Sequence, residues 1–187
     1  MEGLKAVFPV PVYINQVDIK DIKLPEFEDD IHVVQKEYPE LKEVVFEKIT
    51  DILRNSGQVA QPLKLNDMWV NRYNQNRSFD EYQFRQNCSW TGHYFPVKPN
   101  HFVSIYNPNA NVMEQHHPEI ESFSEFSCSK YTFEAMQGVL MIFPSWIAQS
   151  NIWSYGENKQ NKDSYSISFD VKYELPIGNK DFGSYSE

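Results

Sequence analysis

The sequence predicts one mainly β domain with a single N-terminal helix, and two patterns in its 187 residues indicate this fold class. After residue 57, short runs rich in Tyr, Phe, Trp, Val and Ile alternate with Asn, Pro, Ser and Gly at intervals of about 8 to 15 residues, which is typical of all-β folds. Before residue 57, one stretch has the three-and-four apolar spacing of an amphipathic helix. Together they predict a β-sandwich or jelly roll with a helix packed on a sheet.

The predicted helix begins at Pro39, where a missing N–H costs nothing in the first turn. Asn55, Ser56 and Gly57 provide a stop signal. Its apolar stripe consists of Leu41, Val44, Val45, Ile49, Ile52 and Leu53.

The segment before this helix predicts an edge strand or an extended arm over residues 6–17. Pro9 and Pro11 interrupt its β-branched and aromatic residues, and proline cannot donate a ladder hydrogen bond. We therefore divide the single domain into an N-terminal strand and helix (1–57), a jelly roll (58–177) and a polar tail (178–187).

Six strands are predicted within the jelly roll. The last one alternates strictly, with Ile167 and Phe169 on one face and Ser166 and Ser168 on the other, so one face is expected to be core and the other wetter. The predicted strands are Met68–Tyr73, Ser89–Phe95, Phe102–Tyr106, Lys130–Phe133, Val139–Phe143 and Ser164–Tyr173.

Charge and hydropathy exclude several classes of function. The chain has 17 Lys and Arg against 26 Asp and Glu, a net charge of −9 that disfavours binding to nucleic acid or anionic lipid. No apolar run reaches the roughly 18 residues that span a bilayer, and the first residues lack a secretory signal pattern. We expect a protein of the cytoplasm that does not bind membranes.

The two cysteines, Cys88 and Cys128, are too few for a disulfide-stapled scaffold or a four-cysteine zinc site. A single bridge between them stays open. Cys88 as a nucleophile would need a histidine partner, and His93, five residues on, falls on the opposite face of an unbulged strand. Cys88 is therefore interpreted as a small buried side chain.

Four strings in order resemble a family of phage and bacterial 2-oxoglutarate/Fe(II) oxygenases, and the opening FPVPVY (8–13) adds to the likeness. This resemblance implies a double-stranded β-helix, a jelly roll whose mouth would hold a metal. The strings are WVNRY (69–73), QFRQNCSWTGHYF (83–95), GVLMIFPSWIAQS (138–150) and SYSISFD (164–170).

The same resemblance identifies where iron and 2-oxoglutarate would be held. The family's pair of histidines two residues apart corresponds to Gln83 and Arg85, and its distal histidine to Gln149. The arginine that grips the far carboxylate of 2-oxoglutarate corresponds to Ser164. A carboxamide is a poor ligand for Fe(II) and a guanidinium repels it, so the resemblance implies a vestigial pocket with no metal and no cofactor.

A shifted alignment does not restore the ligands. No histidine follows His117 and no arginine follows Arg85, so the second half of the jelly roll has neither a distal ligand nor a clamp. The sequence does contain an H-x-E string at His117 to Glu119, but it lies in a polar stretch that is interpreted as a solvated loop.

Other chemistries leave no signature. The sequence lacks the phosphate-binding GxxxxGK and GxGxxG strings and the GxSxG nucleophile elbow. The four tryptophans could stack on a sugar ring, although in a jelly roll such side chains more often fill the core or an interface. They are Trp69, Trp90, Trp146 and Trp153.

Three functions follow as hypotheses. The first is a non-catalytic jelly roll that acts as a structural or assembly module and forms oligomers with other protein subunits. The resemblance places such a module in the neck or tail of a tailed-phage virion. The second is an active Fe(II)/2-oxoglutarate dioxygenase whose metal is held by His93, His101 or residues 116–119. The third is a lectin-like binding module.

Overall fold

A computed structural model describes residues 10–20, 22–28, 31–73, 79–98, 101–108, 129–153 and 163–174. These residues form ten strands and one helix, and the polar tail and the H-x-E string lie outside them. The strands are β1 (Tyr13–Gln16), β2 (Val33–Gln35), β3 (Leu63–Tyr73), β4 (Phe79–Gln83), β5 (Trp90–Tyr94), β6 (His101–Tyr106), β7 (Lys130–Glu134), β8 (Val139–Pro144), β9 (Gln149–Trp153) and β10 (Ser164–Tyr173), and the helix is α1 (Pro39–Asn55).

The strands form two antiparallel sheets. The larger sheet has the order β1-β8-β5-β10-β3-β2, and the smaller has the order β4-β9-β6-β7. If the eight consecutive strands from β3 to β10 are renumbered one to eight, the sheets contain strands 1-8-3-6 and 2-7-4-5. Consecutive strands thus cross repeatedly between two facing sheets, which defines the double-stranded β-helix, or jelly roll. The predicted fold class is confirmed, with β1 and β2 as extensions of the larger sheet.

The six predicted jelly-roll strands are all present, with ends shifted by a few residues. Three strands are not predicted, namely β2, β4 and β9. β9 begins Gln149-Ser150-Asn151, which lacks apolar alternation because these residues lie in a polar part of the interior. A pattern search for half-buried strands cannot detect such a segment.

The helix occupies the predicted range and packs on the outer face of the larger sheet. Leu41, Val45, Ile49 and Leu53 are buried there, in one cluster with apolar side chains of β3, β5, β8 and β10. The helix ends where Gly57 takes a φ of 72°, a left-handed conformation that glycine adopts without a steric penalty.

The two faces of β10 differ as the alternation predicts, but neither faces solvent. Ile167 and Phe169 are buried beneath the helix. Ser166 and Ser168 are also buried, because they face the second sheet. The predicted difference between a core face and a wetter face is therefore confirmed. The wetter face, however, lines the interior of the sandwich, where Ser168 borders a polar cavity.

A second apolar cluster fills part of the space between the sheets. Phe95, Val103, Met141, Phe143 and Ile147 are its main buried members. Another part is lined by polar side chains, so the interior of the sandwich contains both an apolar core and a polar cavity.

The N-terminal segment forms an edge strand, as predicted. β1 pairs with β8 alone, in the register Tyr13 opposite Ile142 and Gln16 opposite Val139. No helix among the described residues is long and apolar enough to cross a membrane.

We expect Gly92→Ala to destabilise the fold by about 3 kcal/mol or to prevent folding, because of overpacking in a close-packed core. A Cβ at this position in β5 would lie 2.0 Å from the Met141 carbonyl oxygen and 2.6 Å from Cζ of Phe169. Urea unfolding followed by circular dichroism measures the effect.

The matched control is Gly57→Ala, where a Cβ would meet no atom within 4 Å and only the positive φ is unfavourable. This variant should lose about 1 kcal/mol. Equal losses in the two variants would contradict the close approach of β5, β8 and β10.

Candidate functional site

A cavity of about 420 Å³ lies between the sheets and opens to solvent. Its lining is polar and includes one cation, one neutral imidazole and two carboxylates. The side chains that matter most for its chemistry are Trp69, Arg85, His93, Asn151 and Asp170, and Val33, Gln35 and Asp67 also line it.

The predicted site residues are brought together in part. Gln83 and Arg85 line the cavity, and the Cα of Gln83 pairs with that of Gln149 across β4 and β9. Gln149 is buried behind the lining. Ser164 is buried at the start of β10 opposite Tyr73 and does not line the cavity, so it stands apart from the other three.

The guanidinium of Arg85 rests on an aromatic ring. Its central carbon lies 4.8 Å from the ring centre of Trp69, within the range of a cation–π interaction. Its Nε is buried and has no hydrogen-bond partner among the described residues. No carboxylate of the described residues lies within ion-pair distance of it. A cation is thus held in the cavity without a counter-ion in contact.

Asn71 organises the wall that β3 and β10 form. Its Oδ1 accepts a hydrogen bond from Trp69 Nε1 at 3.1 Å, and its Nδ2 donates to Ser168 Oγ at 2.7 Å and to Ser166 Oγ at 3.2 Å. The hydroxyl groups of Tyr73 and Ser166 lie 3.0 Å apart. Every one of these buried groups has a partner, as buried polar groups require.

His93 connects the two sheets. Its Nε2 contacts Oε1 of Gln149, and its Nδ1 lies 2.9 Å from Ser168 Oγ. An amide oxygen only accepts, so His93 Nε2 carries the proton and donates it. Nδ1 then accepts from the Ser168 hydroxyl. The donor and the acceptor are thereby fixed in each hydrogen bond of the series from Asn71 through Ser168 and His93 to Gln149.

This environment keeps His93 neutral. Burial lowers the pKa of His93 to about 4; the hydrogen bond with Gln149 opposes this shift and the nearby Arg85 cation adds to it. The sequence indicates His93 only as an alternative metal ligand and as a histidine near Cys88. No spacing in the sequence indicates its hydrogen bonds to residues 56 and 75 positions away.

Asp170 supplies a carboxylate on the same wall. Its Oδ1 accepts a hydrogen bond from Thr91 Oγ1 at 2.8 Å. Burial raises the pKa of Asp170, while Thr91 and the Arg85 cation oppose the shift. Cys88 lies nearby, and burial raises the pKa of its thiol to about 11. Such a thiol is protonated at neutral pH and is a poor nucleophile, as the sequence indicates.

The donor set at the positions that the sequence resemblance assigns to iron does not fit Fe(II). Non-haem iron sites use two histidines and a carboxylate, whereas Gln83 and Gln149 offer amide oxygens and Arg85 offers a positive charge. Both ring nitrogens of His93 are already hydrogen-bonded. No group of three or more His, Cys, Asp or Glu residues able to hold a metal occurs in the described part of the chain. The side chains of His101 and of residues 116–119 lie outside that part.

The tryptophans have different environments. Trp69 lines the cavity and Trp90 belongs to the cluster beneath the helix. Trp146, in the turn between β8 and β9, is 53% exposed. The side chain of Trp153 lies outside the described residues.

The strand order defines this chain as a double-stranded β-helix protein. No protein-family profile and no curated protein sequence matches the chain. Among solved structures, it is similar to the non-haem α-ketoglutarate-dependent epimerase SnoN from nogalamycin biosynthesis, with a TM-score of 0.48, 10% identity, and coverage of 80% of this chain and 67% of that one.

Two Streptomyces proteins are also similar. AviO1 from Streptomyces viridochromogenes Tue57 matches with a TM-score of 0.49 and 8% identity over 87% of this chain and 73% of that one. HygX from Streptomyces hygroscopicus, solved with nickel and 2-oxoglutarate bound, matches with a TM-score of 0.41 and 8% identity over 74% and 69%. Likenesses this distant carry no argument about activity, and the strand order itself defines the fold.

We expect the stability of the protein to fall by about 3 kcal/mol between pH 6.5 and pH 4, because the unfolded chain binds a proton at His93 that the folded chain excludes. The contribution is fully present above pH 6.5, the ordinary pKa of histidine, and is lost as the pH approaches the folded value of about 4. Urea unfolding at a series of pH values measures it.

The control is His93→Gln, which does not titrate. Its stability should vary less steeply over the same pH range than that of the wild type. An unchanged slope in this variant would show that His93 is not the group responsible.

Proposed function

We propose that this chain is a non-catalytic member of the oxygenase-like jelly rolls and acts as a structural module within a larger protein assembly. The observation that carries the proposal is the Arg85 guanidinium, held against Trp69 in the cavity at a position where the related family would place an iron ligand. A fixed cation at that point opposes the binding of a dication.

The neighbouring amides support the same reading. Gln149 is committed to His93 through its Oε1, so that oxygen is used in holding the two sheets together. Its backbone partner Gln83 is likewise a carboxamide. The polar groups in this region therefore serve the architecture, and fold alone does not supply an activity.

The surface next to the cavity supports an assembly role. The backbone N–H of Arg85 donates to the Ser145 carbonyl at 3.4 Å. Phe84, which precedes Arg85, and Trp146, which follows Ser145, are both more than half exposed and form an aromatic patch. Large exposed aromatic side chains are typical of protein–protein contacts. The resemblance to phage proteins leads us to propose a subunit of a tailed-phage neck or tail as the particular role.

We expect no charge-transfer absorption band when the purified chain is titrated anaerobically with Fe(II) and 2-oxoglutarate, and no succinate release in air, because the donor set does not fit the metal. Either signal from the wild-type chain would contradict the proposal and favour the active dioxygenase.

A gain-of-function variant tests the ligand positions directly. Gln83→His with Arg85→Asp and Gln149→His supplies the two histidines and one carboxylate of a non-haem iron site at these three positions, so Fe(II) binding should appear in calorimetry. The matched control, Gln83→His with Gln149→His, keeps the Arg85 cation and should bind at least tenfold more weakly. Equal binding by the two variants would mean that Arg85 does not exclude the metal.

The assembly role predicts a fixed copy ratio between this chain and its partner subunits in native particles, measured by quantitative mass spectrometry. Trp146→Ser should release the chain from the particle, because the exposed indole is removed from the contact. Val59→Ser is the control. Val59 is 78% exposed, lies in the segment between α1 and β3, and is distant in sequence from Trp146. A chain found as a free monomer and in no particle would contradict the proposal.

A further inference from the structure

The cavity contains polar atoms that the protein itself leaves unpaired. Nε of Arg85 and Oδ1 of Asn151 are both buried and have no hydrogen-bond partner among the described residues. Asn151 is only 7% exposed and lines the cavity. A buried polar atom without a partner costs about 1 to 3 kcal/mol. A rotation of either side chain that lets its atom pair with a ligand in the cavity would therefore be favourable.

The lining also separates charges of opposite sign. Arg85 supplies the cation, and Asp170 and Asp67 supply carboxylates. None of these pairs lies within the 4.0 Å of an ion pair in the described residues. A ligand with a negative and a positive group can therefore meet one opposite charge at each end.

We propose that this cavity binds a free amino acid without a metal, with the ligand's carboxylate at Arg85 and its ammonium group at Asn151 and Asp170. A guanidinium presents paired donors that match a carboxylate, and an ammonium group supplies the donors that an amide oxygen and a carboxylate accept. The site extends beyond the structural role proposed above and does not depend on it.

The dimensions of the cavity suit such a ligand. Its volume of about 420 Å³ lies within the range of about 300 to 1,000 Å³ typical of small-molecule sites. Its lining includes exposed Val33 and Asp67, which leaves a route from solvent. The cation–π contact with Trp69 holds the guanidinium in place and lowers the entropy lost on binding.

The experiment uses the full chain in EDTA, with each of the twenty standard L-amino acids added singly. At least one should raise the melting temperature in a saturable way and give a calorimetric Kd. Its deaminated counterpart, the same acid without the amino group, should bind at least tenfold more weakly because it leaves Asn151 and Asp170 unpaired.

Two variants separate the two ends of the ligand. Arg85→Ala should weaken binding of the amino acid at least tenfold, and Arg85→Gln replaces it if the alanine variant does not fold. Asn151→Ala should reduce the preference for the amino acid over its deaminated counterpart. Arg54→Ala is the control, because Arg54 lies exposed in the last turn of the helix. This variant should bind the amino acid with the affinity of the wild type.

Three results would overturn the inference. They are the absence of binding by all twenty amino acids, binding that Arg85→Ala leaves unchanged, and binding that appears only when EDTA is left out and Fe(II) is added. The third result would also contradict the proposed absence of catalysis, whereas the first two leave the structural role standing.

Discussion

The buried hydrogen-bond chain from Asn71 through Ser168 and His93 to Gln149 is the constraint on which the rest of the structure depends. It joins the larger sheet to the smaller one across an interior that is apolar in one part and polar in another. Pairing offsets the hydration that these groups lose on burial. Gln149 Nε2 is the exception in this series, since it is buried without a partner among the described residues. This series of hydrogen bonds therefore fixes the tautomer of His93 and the separation of the sheets at the cavity.

The polar interior explains why the helix lies outside the sandwich. Strands β3 and β10 place their apolar side chains on the outer face of the larger sheet, and that face must be covered. The stripe of Leu41, Val45, Ile49 and Leu53 covers it. The apolar cluster beneath the helix supports the strands, while their inner faces carry Asn71, Ser168 and Asp170, which line the cavity. This division of roles between the two faces of one sheet allows a polar cavity to exist in a domain of this size.

The resulting cavity differs in chemistry from one that holds iron. Its described lining contains a cation, amides, a neutral imidazole and two carboxylates. No group of three or more His, Cys, Asp or Glu residues able to hold a metal occurs among the described residues. The two proposals made above use different parts of the molecule. The structural role uses the exposed aromatics beside the cavity, and the amino-acid site uses the unpaired atoms inside it.

Sequence alone determined the helix and six jelly-roll strands, because these depend on local periodicity. Matching strings identified Gln83, Arg85 and Gln149 as candidate site residues. The sequence also determined the absence of histidine after His117 and of arginine after Arg85. Only the tertiary structure decided that β9 is a strand, that the polar face of β10 is buried, and that Ser164 stands apart from the cavity. It alone paired His93 with Gln149 and placed Arg85 on Trp69, because those contacts join residues far apart in the chain, and no local pattern specifies which buried polar groups will meet.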